Sequence, residues 1–199
     1  MNRCFNAVEK LLATISLFTS APFISLYILA ILSFYNMIGF VEQILLFTIL
    51  VITPIAIVLY YSRAYGVEWD FPDRRHRLTP LLLIVLFYTI GFVISVLIEL
   101  SYYTKLLLLA YTLNGVSSLI ITLWEKISLH VIGVVGPAIY LILVGLLYCG
   151  LLFLVISIIV SYTRIYLGRH TYKQVVKGYI ALTLFTLVAY GVLNAIYRL

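Results

Sequence analysis

Residues 131–163, VIGVVGPAIYLILVGLLYCGLLFLVISIIVSYT, form a run of 33 residues without a charged side chain. As a single α-helix this run would be about 50 Å long, at about 1.5 Å per residue, whereas the hydrocarbon core of a bilayer is about 30 Å thick. The run is therefore either one strongly tilted helix that projects from the bilayer or two spans that fold back on each other. Gly145 and Gly150 bracket the letters LLYC inside the run and mark the place where a tight hairpin would turn.

The rest of the chain has the same apolar character. Its 199 residues are 64% hydrophobic and only 10% charged, whereas soluble domains carry about 25% charged residues. Runs of about 20 apolar residues cross a bilayer as helices, because a helix satisfies its backbone groups internally. The composition thus predicts an all-α, polytopic transmembrane helical bundle with about 6–7 crossings, built as a single integral membrane domain over residues 1–199.

Hydropathy divides the chain into spans that flank the long run. The apolar part of the N-terminus extends over about 25 residues, beyond the roughly 7–15 residues of a signal-peptide core, and it predicts a retained first span. The predicted spans are 11–35, 41–62, 80–98, 104–124 and 175–196.

The two cysteines lie far apart, at positions 4 and 149, so the sequence offers no metal-binding cysteine spacing and we expect no metal.

Three polar clusters interrupt the hydrophobic runs. They are residues 73–77 with the following Pro80, residues 125–130 (EKISLH), and residues 162–179 (YTRIYLGRHTYKQVVKGY). Each cluster by itself is typical of an interfacial loop whose Lys and Arg follow the positive-inside rule. The three clusters together, with their internal spacings, carry more information.

These spacings resemble the type 2 phosphatidic acid phosphatase (PAP2) superfamily of membrane enzymes. The third motif of that family, S-R-x5-H-x3-D, is matched in spacing by Thr163-Arg164, His170 and Gln174, with Thr for Ser and Gln for Asp. The second motif, P-S-G-H, is similar to the segment that runs from Ser128 to His130.

The first motif of the family, K-x6-R-P, is matched only loosely, by Arg74, Arg77 and Pro80. The order of the three motifs along the chain agrees with the family. The resemblance implies a catalytic core at about 71–180, preceded by a two-span segment, 1–70, and followed by a last span within 175–199.

The resemblance also implies roles for individual residues. By resemblance His170 attacks phosphorus and forms a phosphohistidine, and His130 is the general acid that protonates the leaving oxygen. Position 174 orients the His170 ring, and Gln174 can accept that hydrogen bond without supplying the charge of the family's Asp. We expect His170 and Gln174 to be neighbours on one helix face, four residues apart.

The phosphate-binding residues implied by the resemblance are Arg74, Arg77 and Arg164, because a guanidinium offers forked donors and remains charged. Backbone N–H groups near Ser128 add further donors if a helix begins there. The remaining basic residues of the clusters are expected to contact lipid head groups or to set the membrane topology; they are Arg75, Lys126, Arg169, Lys173 and Lys177. The reaction implied needs neither a cofactor nor a metal.

Convergence of the three motifs decides between the two readings of residues 131–163. The first and second motifs are separated by two spans, 80–98 and 104–124, and so share one face of the membrane. The third motif joins them only if residues 131–163 cross twice. We therefore predict two short spans that turn near 145–150, and seven crossings in all.

The distribution of charge predicts which face this is. Together with the N-terminus, the motif-bearing face carries eleven of the thirteen Lys and Arg residues, and the other face keeps only Lys105 and Arg198. By the positive-inside rule the motif-bearing face is cytoplasmic. The eleven are Arg3, Lys10, Arg63, Arg74, Arg75, Arg77, Lys126, Arg164, Arg169, Lys173 and Lys177.

Two functions from different classes fit these features. The first is an integral membrane phosphatase that acts on a polyprenyl (di)phosphate or a phosphatidic-acid type lipid. The second is a non-hydrolytic protein that binds lipid phosphate or has a structural role, because Gln174 weakens the chemistry. The expected partners are a lipid phosphate and membrane lipids, with no nucleic acid, and the sequence leaves the oligomeric state open.

Overall fold

The computed structural model describes residues 7–66, 71, 73 and 75–197, without the side chain of Glu9. All regular secondary structure in these residues is helical, which confirms the predicted all-α class. The elements are α1 Ala7–Phe18, α2 Ala21–Phe34, α3 Phe40–Phe47, a π-helical stretch Thr48–Ile52, α4 Thr53–Tyr65, α5 Arg75–Leu97, α6 Tyr102–Trp124, α7 Leu129–Leu143, α8 Leu147–Tyr166 and α9 Tyr172–Tyr197.

Within these described residues, five helices are long and apolar enough to cross a membrane, and a sixth span results if α1 and α2 are taken together. The five are Phe40–Tyr65, which runs from α3 through α4, and helices α5, α6, α8 and α9. Helix α7 is apolar but has only 15 residues, a length of about 22 Å at about 1.5 Å per residue. The chain is thus consistent with a multi-pass membrane protein.

The first predicted span, 11–35, is not one straight helix. It is broken at Thr19 and Ser20 into α1 and α2, whose axes differ by 51°. Pro22 lies in the first turn of α2. Proline lacks an N–H group and its ring excludes the carbonyl four residues earlier, so it starts a helix readily and interrupts a continuing one. The predicted span 11–35 is therefore divided into two helices rather than one continuous helix.

Residues 131–163 fold back on themselves, as predicted. Helix α7 ends at Leu143, α8 begins at Leu147, and Gly145 between them has a φ of +88°. The turn is closed by hydrogen bonds from the N–H of Gly145 to the carbonyl of Ile142 and from the N–H of Leu146 to that of Leu141. A positive φ is strained for any residue with a Cβ atom, so glycine suits this position.

Gly150, the second glycine of the expected turn, lies on α8 instead. A Cβ atom at this position would lie 2.5 Å from Cγ1 of Ile142 and 2.8 Å from the carbonyl oxygen of Ala138. The missing side chain therefore allows α8 to pack closely on α7, in the way that small residues act in membrane helix pairs.

Helix α7 is central to the bundle and packs against α2, α6, α8 and α9. Because α7 and α8 form a hairpin, the first residue of α7 and the last turn of α8 lie at the same end of the bundle. Helix α5 begins at Arg75 rather than at the predicted position 80. Arg77 is therefore helical, and Pro80 lies in the second turn of the helix.

Replacement of Gly150 by Ala should destabilise the α7–α8 hairpin. The added methyl group overlaps a backbone oxygen, and such overpacking costs about 1–3 kcal/mol. The matched control is Gly191→Ala on α9, where a Cβ atom would meet nothing within 4 Å, so only helix propensity changes, by up to about 1 kcal/mol in favour of Ala. Thermal unfolding in detergent measures both, and equal midpoints for the two variants would contradict the close packing.

Candidate functional site

The first and second polar clusters meet at Arg77. Its side chain is buried, Nε donates to the carbonyl of Phe71 at 2.6 Å, and Nη1 donates to the carbonyl of Ile127 at 3.1 Å. The second bond ties the first turn of α5 to the segment that leads into α7. The guanidinium is therefore held in one place by two backbone oxygens from different parts of the chain.

The third cluster is organised around Arg164, in the last turn of α8. Its side chain is buried, and Nη1 donates to Oγ of Ser16 on α1 at 3.2 Å. Its carbonyl accepts hydrogen bonds from the N–H of Arg169 at 3.0 Å and of His170 at 3.2 Å. Gly168, with a φ of +65°, allows the chain to turn back in this way.

His170 lies in the loop between α8 and α9 and is buried, with 5% of its surface exposed. Its Nδ1 atom lies 3.2 Å from Oε1 of Gln174, so the expected contact between the two residues is present. The expected reason was wrong, because α9 begins at Tyr172 and His170 precedes the helix.

Gln174 reaches His170 because it belongs to a helix cap. Its Oε1 atom accepts a hydrogen bond from the N–H of Thr171 at 3.1 Å, and Thr171 Oγ1 accepts one from the N–H of Gln174 at 3.4 Å. This reciprocal pair is a capping box, for which the sequence pattern T-x-x-Q at 171–174 is the signal. The cap fixes Oε1 beside the imidazole before any ligand arrives.

The contact with Gln174 selects the tautomer of His170. An amide oxygen only accepts hydrogen bonds, so Nδ1 carries the proton and Nε2 keeps its lone pair. Nε2 is buried and has no hydrogen-bond partner within the part of the chain that the structure describes. The lone pair of a neutral imidazole nitrogen is nucleophilic.

The surroundings of His170 keep its imidazole neutral. Burial, followed by the positive charges of Arg164, Arg77 and Lys126, lowers the pKa of His170 to about 3. The hydrogen bond with Gln174 acts in the opposite direction but does not offset them. Three cations around a neutral nitrogen base repel one another, and a bound anion would offset this repulsion.

Ser128 is the N-cap residue of α7 and is fully buried. Its Oγ atom has no hydrogen-bond partner among the described residues, and the first N–H groups of α7 follow it. The condition for additional N–H donors, that a helix begins at Ser128–His130, is met. A helix N-terminus with an unused hydroxyl beside several cations favours a bound anion.

A cavity of about 710 Å³ extends from this polar end into the bundle. Arg77, His130, Arg164 and Arg169 line its polar end, and residues of α1, α2, α4, α5, α6 and α7 line the rest, most of them apolar. His170, Ser128 and Gln174 are not on its wall. His170 Nε2 is enclosed beside the cavity, so a ligand reaches this atom only when a neighbouring side chain moves.

The structure therefore brings together Arg77, Arg164, His170 and Gln174, with Ser128 and His130 at the adjoining start of α7. Arg74 lies outside the described residues. Sequence reasoning assigned Lys126 and Arg169 to lipid head groups, yet Lys126 acts on the His170 pKa and Arg169 lines the cavity. It did not consider Ser16 at all.

Two further expectations concern Lys177 and metal ions. Lys177 is expected to contact lipid head groups or to set the topology, and the structure adds a pairing of its ammonium group with the carboxylate of Glu125. This exposed ion pair links the start of α9 to the segment between α6 and α7. Over the described residues there is no group of three or more His, Cys, Asp or Glu side chains that could hold a metal ion.

Comparison with known proteins leaves the family assignment open. No protein-family model, no curated protein and no solved structure matches this chain. The resemblance to the phosphatidic acid phosphatase superfamily thus depends on the motifs quoted above, and the function has to be inferred from the geometry of the site.

The low pKa of His170 predicts a pH-dependent stability. An unfolded histidine titrates near 6.5, so between about pH 6.5 and 3 the unfolded chain binds a proton that the folded chain does not. Wild-type stability should therefore fall as the pH drops from 7.5 to about 4.5, by up to about 1.4 kcal/mol per pH unit.

The substitution His170→Gln should remove this part of the pH dependence, which thermal unfolding of both proteins at pH 7.5 and 5.0 measures. The matched control is His76→Gln, since His76 is exposed and its loss should leave the wild-type dependence in place. Parallel pH profiles for wild type and His170→Gln would show that the imidazole is not held neutral.

Proposed function

We propose that this protein is an integral membrane phosphatase that hydrolyses a lipid phosphate or diphosphate through a phosphohistidine intermediate. The observation that carries the proposal is the neutral imidazole of His170 beside a largely apolar cavity. Its pKa is lowered first by burial and then by the positive charges of Arg164, Arg77 and Lys126. The substrate is of the polyprenyl (di)phosphate or phosphatidic-acid type. Its phosphate occupies the polar end of the cavity and its tail extends between the helices.

Arg77 and Arg164 bind the phosphoryl oxygens. Each guanidinium has several N–H donors in a planar fork and keeps its charge, which suits a phosphoryl group whose negative charge shifts during transfer. Both side chains are held by contacts to the protein, Arg77 to Phe71 and Ile127 and Arg164 to Ser16. Ser128 and the first N–H groups of α7 supply additional donors.

In the first step the lone pair of His170 Nε2 attacks phosphorus, and the bond between phosphorus and the lipid-side oxygen breaks. His130, which lines the cavity, donates a proton to that oxygen as it leaves. In the second step His130 takes a proton from water, the oxygen of that water attacks phosphorus, and the bond between nitrogen and phosphorus breaks. Inorganic phosphate leaves and both histidines return to their starting states.

Gln174 is a positioning residue in this mechanism. Its Oε1 accepts the hydrogen bond of Nδ1 and so aims Nε2 at phosphorus. A neutral amide stabilises the cationic imidazole of the intermediate less than a carboxylate does. Replacement by Glu should keep the cap and add charge, whereas replacement by Leu should remove both interactions.

The test is release of phosphate by the purified full-length protein, without divalent metal ions, from a prenyl diphosphate and from phosphatidic acid. We expect His170→Asn to lower release by at least about a thousandfold, since it removes the nucleophile, and His130→Asn by about a hundredfold, since it removes general acid catalysis. Gln174→Leu should lower it about tenfold and Gln174→Glu should retain it. Arg63→Gln, on α4 and outside the site, is the matched control. Release that persists in His170→Asn would contradict the proposal.

A non-hydrolytic lipid-phosphate-binding or structural protein is the second candidate. The enclosed Nε2 atom and the neutral residue at position 174 favour it. The two candidates are separated by binding of orthovanadate, which mimics the phosphoryl group. Vanadate binding that Arg164→Gln weakens, without phosphate release from any lipid phosphate, would support the second candidate.

We further propose that the site faces the cytoplasm. If the arginines at 74, 75, 77 and 164 are set aside as phosphate ligands, the motif-bearing face still carries seven Lys and Arg against two. Lys173 and Glu99 are both exposed and mark the two faces. With Cys4 and Cys149 changed to Ser, a membrane-impermeant maleimide should label Glu99→Cys in intact cells and Lys173→Cys only after permeabilisation. The reverse pattern would place the site outside.

A further inference from the structure

The cavity beside the proposed phosphate site has an exposed edge. Of the described residues that line it, three are exposed on the surface of the bundle, and they belong to two helices: Ala13 and Leu17 of α1 and Ile55 of α4. Leu17 is 47% exposed and Ile55 is 37% exposed. On the opposite wall, lining residues of α5 and α6 such as Tyr88 and Gly115 are buried. The cavity therefore opens sideways, between α1 and α4.

Helices α1 and α4 are held by different neighbours on the two sides of this opening. The main packing partner of α1 is α8, and α4 packs on the π-helical stretch and on α5. The hydrogen bond from Arg164 to Ser16 also joins α1 to α8. Because neither helix has the other as its main partner, a hydrocarbon chain can lie between them without disrupting the principal contacts of either helix.

The opening lies at the depth of the hydrocarbon core. Ile55 is ten residues from one end of the spanning segment Phe40–Tyr65 and fifteen residues from the other, which is about 15 Å and about 22 Å at about 1.5 Å per residue. In a core of about 30 Å, this position is near the middle of the bilayer. The exposed side chains of Leu17 and Ile55 are aliphatic. This edge of the cavity therefore faces lipid chains rather than water.

The polar end of the cavity and the opening are continuous. Arg77 and Tyr88 of α5 both line the cavity, and Tyr88 follows Arg77 by eleven positions, which is about 16 Å along a helix. A phosphate bound by Arg77 and Arg164 thus places about 16 Å of its tail inside the bundle. A longer tail has to leave the cavity, and the exposed edge between α1 and α4 is an apolar way out.

We infer that the lipid enters this site laterally from the bilayer, through a portal between α1 and α4, and that its tail occupies the portal while its phosphate is bound. The portal is formed by Ala13, Leu17 and Ile55. This inference rests on the proposed function and narrows its substrate class to long-chain lipid phosphates that reside in the bilayer. The charged end of the cavity matches the phosphate of such a molecule, and the apolar edge matches its chain. A short, water-soluble phosphate fills only the polar end.

Equilibrium binding of two phosphonates to the full-length protein in detergent tests the portal. The probes are hexadecylphosphonate, whose extended tail is longer than the cavity, and methylphosphonate, which has no tail. The substitution Ala13→Trp places an indole in the portal. It should weaken hexadecylphosphonate binding about tenfold, because apolar contact of the tail is lost, and should leave methylphosphonate binding unchanged. Isothermal titration calorimetry measures both affinities.

The matched control is Ala56→Trp on α4. Ala56 is exposed, as Ala13 is, but it does not line this cavity. The same added indole should therefore leave the binding of both phosphonates unchanged. Equal weakening of hexadecylphosphonate binding by the two variants would overturn the portal.

Photo-crosslinking tests the portal in the unaltered protein, and it decides the question if Ala13→Trp does not fold. The probe is an alkyl phosphonate with a diazirine about 16 Å from phosphorus along the extended chain. We expect insertion into Leu17 or Ile55 that excess hexadecylphosphonate suppresses. Insertion into other exposed residues, such as Ile158 on α8, should not be suppressed. Suppressible insertion into α8 in place of α1 and α4 would overturn the portal.

The outcomes also separate this inference from the proposed phosphatase activity. Phosphate release from hexadecyl phosphate, together with phosphonate binding that Ala13→Trp leaves unchanged, would overturn the portal and leave the phosphatase in place. Hexadecylphosphonate binding that Ala13→Trp weakens and Ala56→Trp does not, in a protein that releases no phosphate, would support the portal and overturn the phosphatase. A protein that binds neither phosphonate would overturn both.

Discussion

The thickness of the bilayer is the constraint on which the site depends. An uncharged stretch of 33 residues cannot remain one helix inside a core of about 30 Å, so the chain turns at Gly145, where φ is +88°. The turn returns α8 to the end of the bundle at which α7 begins. Arg164, in the last turn of α8, and His170, in the loop that follows, thereby lie near Lys126, just before the start of α7, and near Arg77 on α5.

Once assembled, this end of the bundle concentrates positive charge around a neutral imidazole. Arg77 and Arg164 are buried and anchored by hydrogen bonds to Phe71, Ile127 and Ser16. Like charges at close range cost free energy in a medium of low dielectric constant. An anion offsets that cost, and the apolar cavity next to it accommodates a hydrocarbon tail. Charge and shape therefore both support the ligand class that we propose, a phosphate attached to a lipid.

Several features of the fold were accessible from local chemistry. Hydropathy identified the spanning segments. The length of residues 131–163 left one tilted helix and a hairpin both open, and the requirement that the three motifs converge predicted the hairpin. The break at Pro22 and the capping box of Thr171 and Gln174 also have sequence signals, a proline that starts a helix and the pattern T-x-x-Q. The first stretch was predicted as one continuous span, because it is apolar throughout. Gln174 was predicted to meet His170 within a helix, because the two residues are four positions apart.

By itself, the sequence determined that the chain is all-helical, with several helices long and apolar enough to span a membrane, because the length of an apolar run is a local property. Only the tertiary structure decided that Lys126 acts on His170, that Ser16 holds Arg164, and that Ala13 and Ile55 line one cavity. These contacts join residues far apart in the chain, such as Ser16 and Arg164. They depend on how the helices pack, which no short stretch of sequence encodes.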